Sequence, residues 1–242
     1  MVDANWYSRQ RAVDLLRENG VPEHKVWHDI ALAEVARSIA GKVEDSGDMV
    51  DRVVIDAGCI FHDLGVCVTK DDLSPSHATH GGRILREYGY PEQVARCVEC
   101  HELAGISDAA EAADFGIEDM GRPSYRIETW EEKIVTWADG FIGITAECMA
   151  DPWKDPYALV NAAYPYVRTV VMRWSGKVAG TDHPCFRRLF KLQQEMMPFT
   201  ERSILQDTAT VIAIRGMQRA QLAWGMKLPF TYADNLVLEL GN

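Results

Sequence analysis

The sequence predicts an all-α protein. Apolar residues recur at helical spacing through most of the chain, turn-forming clusters separate those stretches, and the alternation that marks strands is weak. The composition fits a packed interior: hydrophobic residues make up 47% and charged residues 25% of 242, which argues against a disordered chain.

Helical periodicity runs over roughly 3–19, 23–41, 49–63, 77–88, 91–102, 130–149, 156–174, 184–196 and 203–222. The breaks have their own chemistry. Asn19-Gly20-Val21-Pro22 stops one helix and starts the next. Gly65 closes the third, and Asp71-Asp72-Leu73-Ser74-Pro75 is a loop. Tyr88-Gly89-Tyr90-Pro91 is a tight break between two helices. Residues 104–129, with Gly116, Gly121 and Pro123, read as a partly ordered loop holding a short helix. Asp151-Pro152 and Asp155-Pro156 mark a boundary, so we divide the chain into a site-bearing part, 1–150, and a helical extension, 151–242. The tail at 230–240, Phe-Thr-Tyr-Ala-Asp-Asn-Leu-Val-Leu-Glu-Leu, is the best strand signal or an extended arm.

Composition also bounds function. No apolar run reaches membrane-spanning length, and the N-terminus is polar and then amphipathic, unlike a secretory signal, so a cytoplasmic location is expected. A formal net charge of −11 weighs against binding a nucleic-acid polymer, which needs a basic face. A small phosphorylated substrate is still compatible, because a bound cation inverts the field inside one cleft. Six cysteines read as reduced thiols. A homo-oligomer is compatible with everything above.

Six of the seven histidines fall in the first 101 residues, and several face inward. His28 shares a helix face with Leu32, Val35 and Ile39. His62 lies with Ile55, Gly58 and Cys59 behind it, and its neighbour Asp63 stands about 100° further round, so both reach one point only near a helix end. His101 lies with Val94, Cys97 and Val98, and Asp139 with Val135, Ile142 and Ala146. Each alone has a plain reading: a satisfied core histidine, a helix-capping aspartate, or a buried partner of an arginine. Together they place imidazoles and carboxylates from several helices on otherwise apolar faces, a costly arrangement that one shared divalent cation resolves. Nitrogen and carboxylate donors suit Mn, Fe, Co, Ni, Zn or Mg, and spacing does not choose among them.

The ordered set His28, then Phe61-His62-Asp63-Leu64-Gly65, then Asp139 at the end of Lys133-Ile134-Val135-Thr136-Trp137-Ala138-Asp139, resembles the HD-domain superfamily of metal-dependent phosphohydrolases. The likeness runs over residues 10–145. It takes in the small-residue helix after His28, the stretch from His77 to Glu92, and the segment around Val98-Glu99-Cys100-His101-Glu102-Leu103. It resembles a small, largely uncharacterised HD subfamily most. The resemblance implies an HD-type helical bundle with His28, His62, Asp63 and Asp139 on a first metal. It also implies His77 and His101 on a second, with Asp63 bridging. The implied activity is hydrolysis of a small phosphate ester such as a nucleotide or phosphorylated metabolite, with Asp63 the catalytic carboxylate, and with one or two divalent ions. Many members carry a basic residue just after the His-Asp-x-Gly run. Here that position is Val66, and a phosphate-facing cation is missing there.

Other residues are candidates for substrate contact. Lys133, Arg83 and His80 could meet an anion, against the plain reading of a solvated helix face. His80 is also an alternative second-metal ligand, three residues after His77. Cys97 and Cys100 lack the second ligand pair of a structural zinc site; Cys97 should be buried and Cys100 should point away. His24 reads as a surface position, His183 in Thr181-Asp182-His183-Pro184 as a helix-start residue, and Trp153, Tyr157, Tyr164, Tyr166 and Trp174 as packing aromatics. Two rival functions keep the same metal donors: a di-iron oxygenase of HD type, and a metal-stabilised, non-catalytic binding domain whose extension recognises a partner.

Overall fold

Helix follows helix, with no strand, among the described residues of the computed structural model, which are 6–70, 74, 76–117, 120–148, 184–200, 204 and 207–225. In chain order they are α1 (Arg9–Glu18), α2 (Glu23–Asp45), α3 (Arg52–Phe61), α4 (Val66–Thr69), α5 (Ser76–Glu87), α6 (Glu92–Cys100), α7 (Ala109–Asp114), α8 (Trp130–Cys148), α9 (Pro184–Met196) and α10 (Thr208–Gly225). Short 3-10 turns span Glu102–Ala104 and Met197–Phe199. The fold is all-α, as the periodicity predicts. The expected helix at 156–174, the tail at 230–240, His183 and the five aromatics from Trp153 to Trp174 lie outside the described residues.

The architecture turns on α2. Its buried residues, among them Val26, Ala31, Leu32, Ala33, Val35, Ala36, Ile39 and Val43, cover every side of the helix. A helix apolar all round belongs in the middle of a bundle. It packs on α1, α3, α8 and α10. Its four buried alanines let these neighbours approach closely. α3 packs in turn on α6 and α8, and α5 pairs with α6. One apolar core joins these helices with Leu192 and Met196 of α9 and with Ala213, Met217 and Ala220 of α10, so described parts of the extension share it.

Partly buried ion pairs join the helices. Arg9 of α1 reaches Glu34 of α2 and Asp56 of α3, and Tyr7 donates to the same Asp56. Arg86 of α5 binds Glu99 of α6 at 2.5 Å and also Glu92. α3 starts at Asp51, whose carboxylate accepts from the Val53 and Val54 amides, a standard N-cap.

Two local expectations change. Cys100 is buried, not turned away: the 104–129 segment folds back over α6 and builds a second apolar cluster from Cys100, Ile106, Phe115, Ile117, Met120 and Tyr125. Helix periodicity could not anticipate this, because the cover comes from a stretch without a periodic pattern. The one-turn helix α4 is also new, too short to carry a period. No helix among the described residues is long and apolar enough to cross a membrane.

Candidate metal centre

The six predicted histidine and aspartate donors come from five helices and converge. α2 supplies His28 in its second turn. His62 is the C-cap of α3, and Asp63 follows in the tight turns before α4. The helix stops at Phe61, which lets two neighbouring side chains reach one point. His77 stands in the first turn of α5, His101 is the C-cap of α6, and Asp139 lies within α8. Gly65 makes the juxtaposition possible. A Cβ there would stand 1.9 Å from the His77 carbonyl oxygen and 2.7 Å from the Gly81 nitrogen, so only glycine lets the His62–Asp63 turn lie against the start of α5.

Three imidazoles are held by the same device. Nδ1 of His62 is 2.8 Å from the Cys59 carbonyl oxygen, Nδ1 of His77 2.7 Å from that of Ser74, and Nδ1 of His101 2.6 Å from that of Val98. A carbonyl only accepts, so each Nδ1–H donates to the residue three positions back, and each Nε2 keeps its lone pair. The Nε2 atoms of His77 and His101 then face each other at 3.1 Å. Burial pushes both imidazoles down to about 4, so neither carries a second proton at neutral pH. Two buried lone pairs at this distance repel each other, a proton or a metal ion between them would relieve that, and the residues fit a metal ion.

The carboxylates continue the pattern. Nε2 of His28 is 3.0 Å from Oδ1 of Asp139, and Nε2 of His62 is 3.7 Å from that oxygen. Asp63 spans two donor groups: Oδ2 is 3.5 Å from Nε2 of His62, and Oδ1 is 3.4 Å from Nε2 of His77. Donors about 2.0–2.3 Å from one ion in a tetrahedral or octahedral shell stand about 2.8–3.8 Å apart, which covers these separations. His28, Asp29, His62 and Asp63 form one set of donor atoms within 4.8 Å of one another; His62, His101 and Asp139 form another; Asp63, His77 and His101 form a third. Burial would raise the Asp63 carboxyl, but the Lys25 ammonium and the imidazoles of His62, His77 and His28 outweigh it and hold it well below the usual range. Asp139 is likewise lowered, burial notwithstanding, by its bond to His28 and the field of His62.

Sequence reasoning missed three neighbours. Lys25 Nζ lies 3.0 Å from Asp63 Oδ2. It stands three residues before His28, so its place on the same face could have been read. Asp29 is 0% exposed and its carboxylate has no hydrogen-bond partner; Oδ1 lies 3.3 Å from His62 Nδ1. Burial and the nearby Asp63 raise it well above the usual range. The signal was a second His-Asp dipeptide, His28-Asp29, echoing His62-Asp63. Glu102, next to His101, puts Oε1 3.4 Å from His77 Nε2 and 3.7 Å from His101 Nε2.

The three residues considered for substrate contact do not join this cluster. Arg83 donates to His80 Nδ1 at 3.0 Å, and both line a cavity of about 590 Å³ with Ser76, Thr79 and Arg122 that touches none of the six donors. Lys133 pairs with Glu195 at 2.9 Å and sits over the Trp130 ring. Val66 is buried, in keeping with the lack of a cation at that position. No cysteine joins a group of three metal-type donors among the described residues.

Comparison with known proteins gives a consistent setting. The family model described as HD domain matches residues 28–142, a span that includes all six donors. The chain is 29% identical over 187 residues to the uncharacterized protein MJ0778 of Methanocaldococcus jannaschii, covering 77% of this chain and 95% of that one. It is 35% identical over 95 residues to a tRNA (cytidine(56)-2'-O)-methyltransferase of Picrophilus torridus, covering 39% of this chain and 26% of that enzyme. Among solved structures it is similar to the HD domain of the L. monocytogenes phosphodiesterase PgpH in complex with cyclic-di-AMP, with a TM-score of 0.44 and 13% identity over 78% of this chain and 94% of that one.

Proposed function

This chain is a member of the HD-domain superfamily through residues 28–142, and from that premise we propose that it is a metal-dependent phosphohydrolase acting on a small phosphate ester. The observation that carries the reading is Asp63, whose two oxygens face two different sets of imidazoles. His28, His62, Asp63 Oδ2 and Asp139 would hold one ion, and Asp63 Oδ1, His77 and His101 a second. Ions bound there supply a water acidified toward neutral pH and a Lewis acid for the phosphoryl oxygen.

The chain's own residues do the rest. Asp63 fixes the spacing of the two donor sets and orients the attacking water. Nδ1–H bonds to backbone carbonyls keep the imidazoles of His62, His77 and His101 from turning, so the site is organised before substrate arrives. Lys25, 18% exposed at its side chain and beside Asp63, can pair with a non-bridging phosphoryl oxygen and so supplies the cation that Val66 does not. Burial of His62, Asp63, His77 and His101 lowers the local dielectric and strengthens each interaction. The net charge of −11 favours a small ester over a nucleic-acid polymer.

The test is metal analysis of protein purified without added metal, coupled to a panel of phosphate mono- and diesters. Metal-dependent turnover of a phosphate ester, lost on chelation, is expected. Tight metal with no turnover of any ester would replace hydrolysis with a binding role. Two irons with a visible absorption band and dioxygen consumption would replace it with oxygenation.

A further inference from the structure

Beside the predicted donors stand two further carboxylates that the two donor sets above do not use, Asp29 against His62 and Glu102 against His77 and His101. Glu102 lies in the 3-10 turn that directly follows His101, and its side chain is 11% exposed. Its two ion-pair contacts are both imidazoles, His77 at 3.4 Å and His101 at 3.7 Å, through the Nε2 atoms that also face each other. Because both Nδ1 hydrogens are already given to carbonyl oxygens, neither Nε2 has a proton to offer Glu102 at neutral pH. A carboxylate aimed at two lone pairs is repelled by both unless a proton or a metal ion sits among the three.

The backbone that presents Glu102 is held against its own preferences. Ala104 adopts φ 58°, a left-handed conformation that costs a residue with a Cβ about 1 kcal/mol. Gly105 follows at φ 81°, where a Cβ would stand 2.4 Å from the Tyr125 carbonyl oxygen. Arg188 of α9 locks the turn. Its guanidinium donates to the Ala104 carbonyl at 3.2 Å, to the Gly105 carbonyl, to Ser107 Oγ at 2.7 Å and to Glu111 at 2.6 Å. Backbone strain held in place by so many bonds is a mark of a position fixed for a purpose.

We propose that Glu102 is a protein ligand of the second ion, completing a shell of Asp63, His77, His101 and Glu102. The proposal rests on the two-ion reading above. It also ties the described part of the extension to the metal centre, because Arg188 positions the turn that carries this ligand.

The experiment titrates chelator-treated full-length protein with Mn²⁺ alone and follows stoichiometry and affinity by calorimetry and elemental analysis. The wild type, Glu102→Gln, Glu102→Ala and the exposed surface control Glu87→Gln are compared, with circular dichroism as a check on folding. Two ions in the wild type and control, with the second bound at least about tenfold more weakly in both Glu102 variants and the first unchanged, is the expected result. Two ions in both Glu102 variants, with affinities within about twofold of the wild type, would overturn the Glu102 assignment and leave the two-ion reading standing. One ion or none in the wild type would overturn that reading and this proposal with it. If Glu102→Ala does not fold, the isosteric Glu102→Gln decides alone.

Discussion

Gly65→Ala should damage the protein at one defined place. The added Cβ would lie 1.9 Å from the His77 carbonyl oxygen, where ordinary contact begins at 3.4 Å, so the two backbones must part by about 1.5 Å, the difference of those distances. Both partners are main chain, at the start of α5 and in the turn after α3, so no flexible side chain can absorb the shift. Overpacking of this kind costs about 3 kcal/mol, the upper end of the usual range. For a chain of this length that lowers Tm by about 6–12 °C. The displacement also carries His77 away from Asp63 Oδ1, now 3.4 Å from its Nε2. A misplacement of more than 1 Å at a catalytic group lowers kcat by about 100-fold. Differential scanning calorimetry and metal content read the two effects separately. A Gly65→Ala protein with wild-type Tm and wild-type metal content would refute the argument that this close approach builds the site.

Asp63→Ala should abolish turnover and remove most bound metal, because it takes away the one carboxylate shared by both donor sets; near-normal activity and metal content on elemental analysis would sink the assignment. Lys25→Met should lower kcat/KM for a phosphate ester by about 10-fold or more while leaving metal stoichiometry unchanged, and an unchanged kcat/KM would remove Lys25 from substrate contact. The metal-free protein should lose stability in mild acid. The imidazoles of His77 and His101, lowered first of all by burial, sit at about 4 when folded against 6.5 in the unfolded chain. The unfolded state therefore binds the extra protons, so stability is full above about pH 6.5 and falls as pH drops toward 4. Urea midpoints of chelated protein at pH 7.5, 6.0 and 5.0 should fall in that order, and a flat series would contradict the burial of these rings.

Why some of this was legible in the sequence and some was not follows from the kind of signal each residue leaves. His28, His101 and Asp139 interrupt apolar helix faces, and a polar group on an otherwise apolar face of a periodic segment is visible without coordinates. His62 and Asp63 needed a helix end, and Gly65 marked it. Lys25 and Asp29 were readable in principle, one by spacing to His28 and one by the repeated dipeptide. Glu102 was not, because its direction is set by the left-handed Ala104 and by Arg188, 86 positions further on. Cys100 was misplaced for a related reason: the segment that covers it has no period to betray it. His80 and Arg83 follow His77 on α5 at helical spacing, yet they open onto a separate cavity, since a helix that turns one edge to the site turns the next edge elsewhere.

The bonds from Nδ1 of His62, His77 and His101 to carbonyls three residues upstream have a consequence for how this centre can vary. The aim of the His62 and His101 rings is encoded within the last four residues at their own helix ends, whereas His77 takes its acceptor, Ser74, from the loop that precedes α5. Length changes in the stretches between the helices can move whole elements but leave the His62 and His101 rings aimed as they are, while a change next to Ser74 would free His77. Grafting one of these four-residue units onto another helix end should carry the ring's orientation with it, which makes each unit a portable donor that a different bundle could adopt.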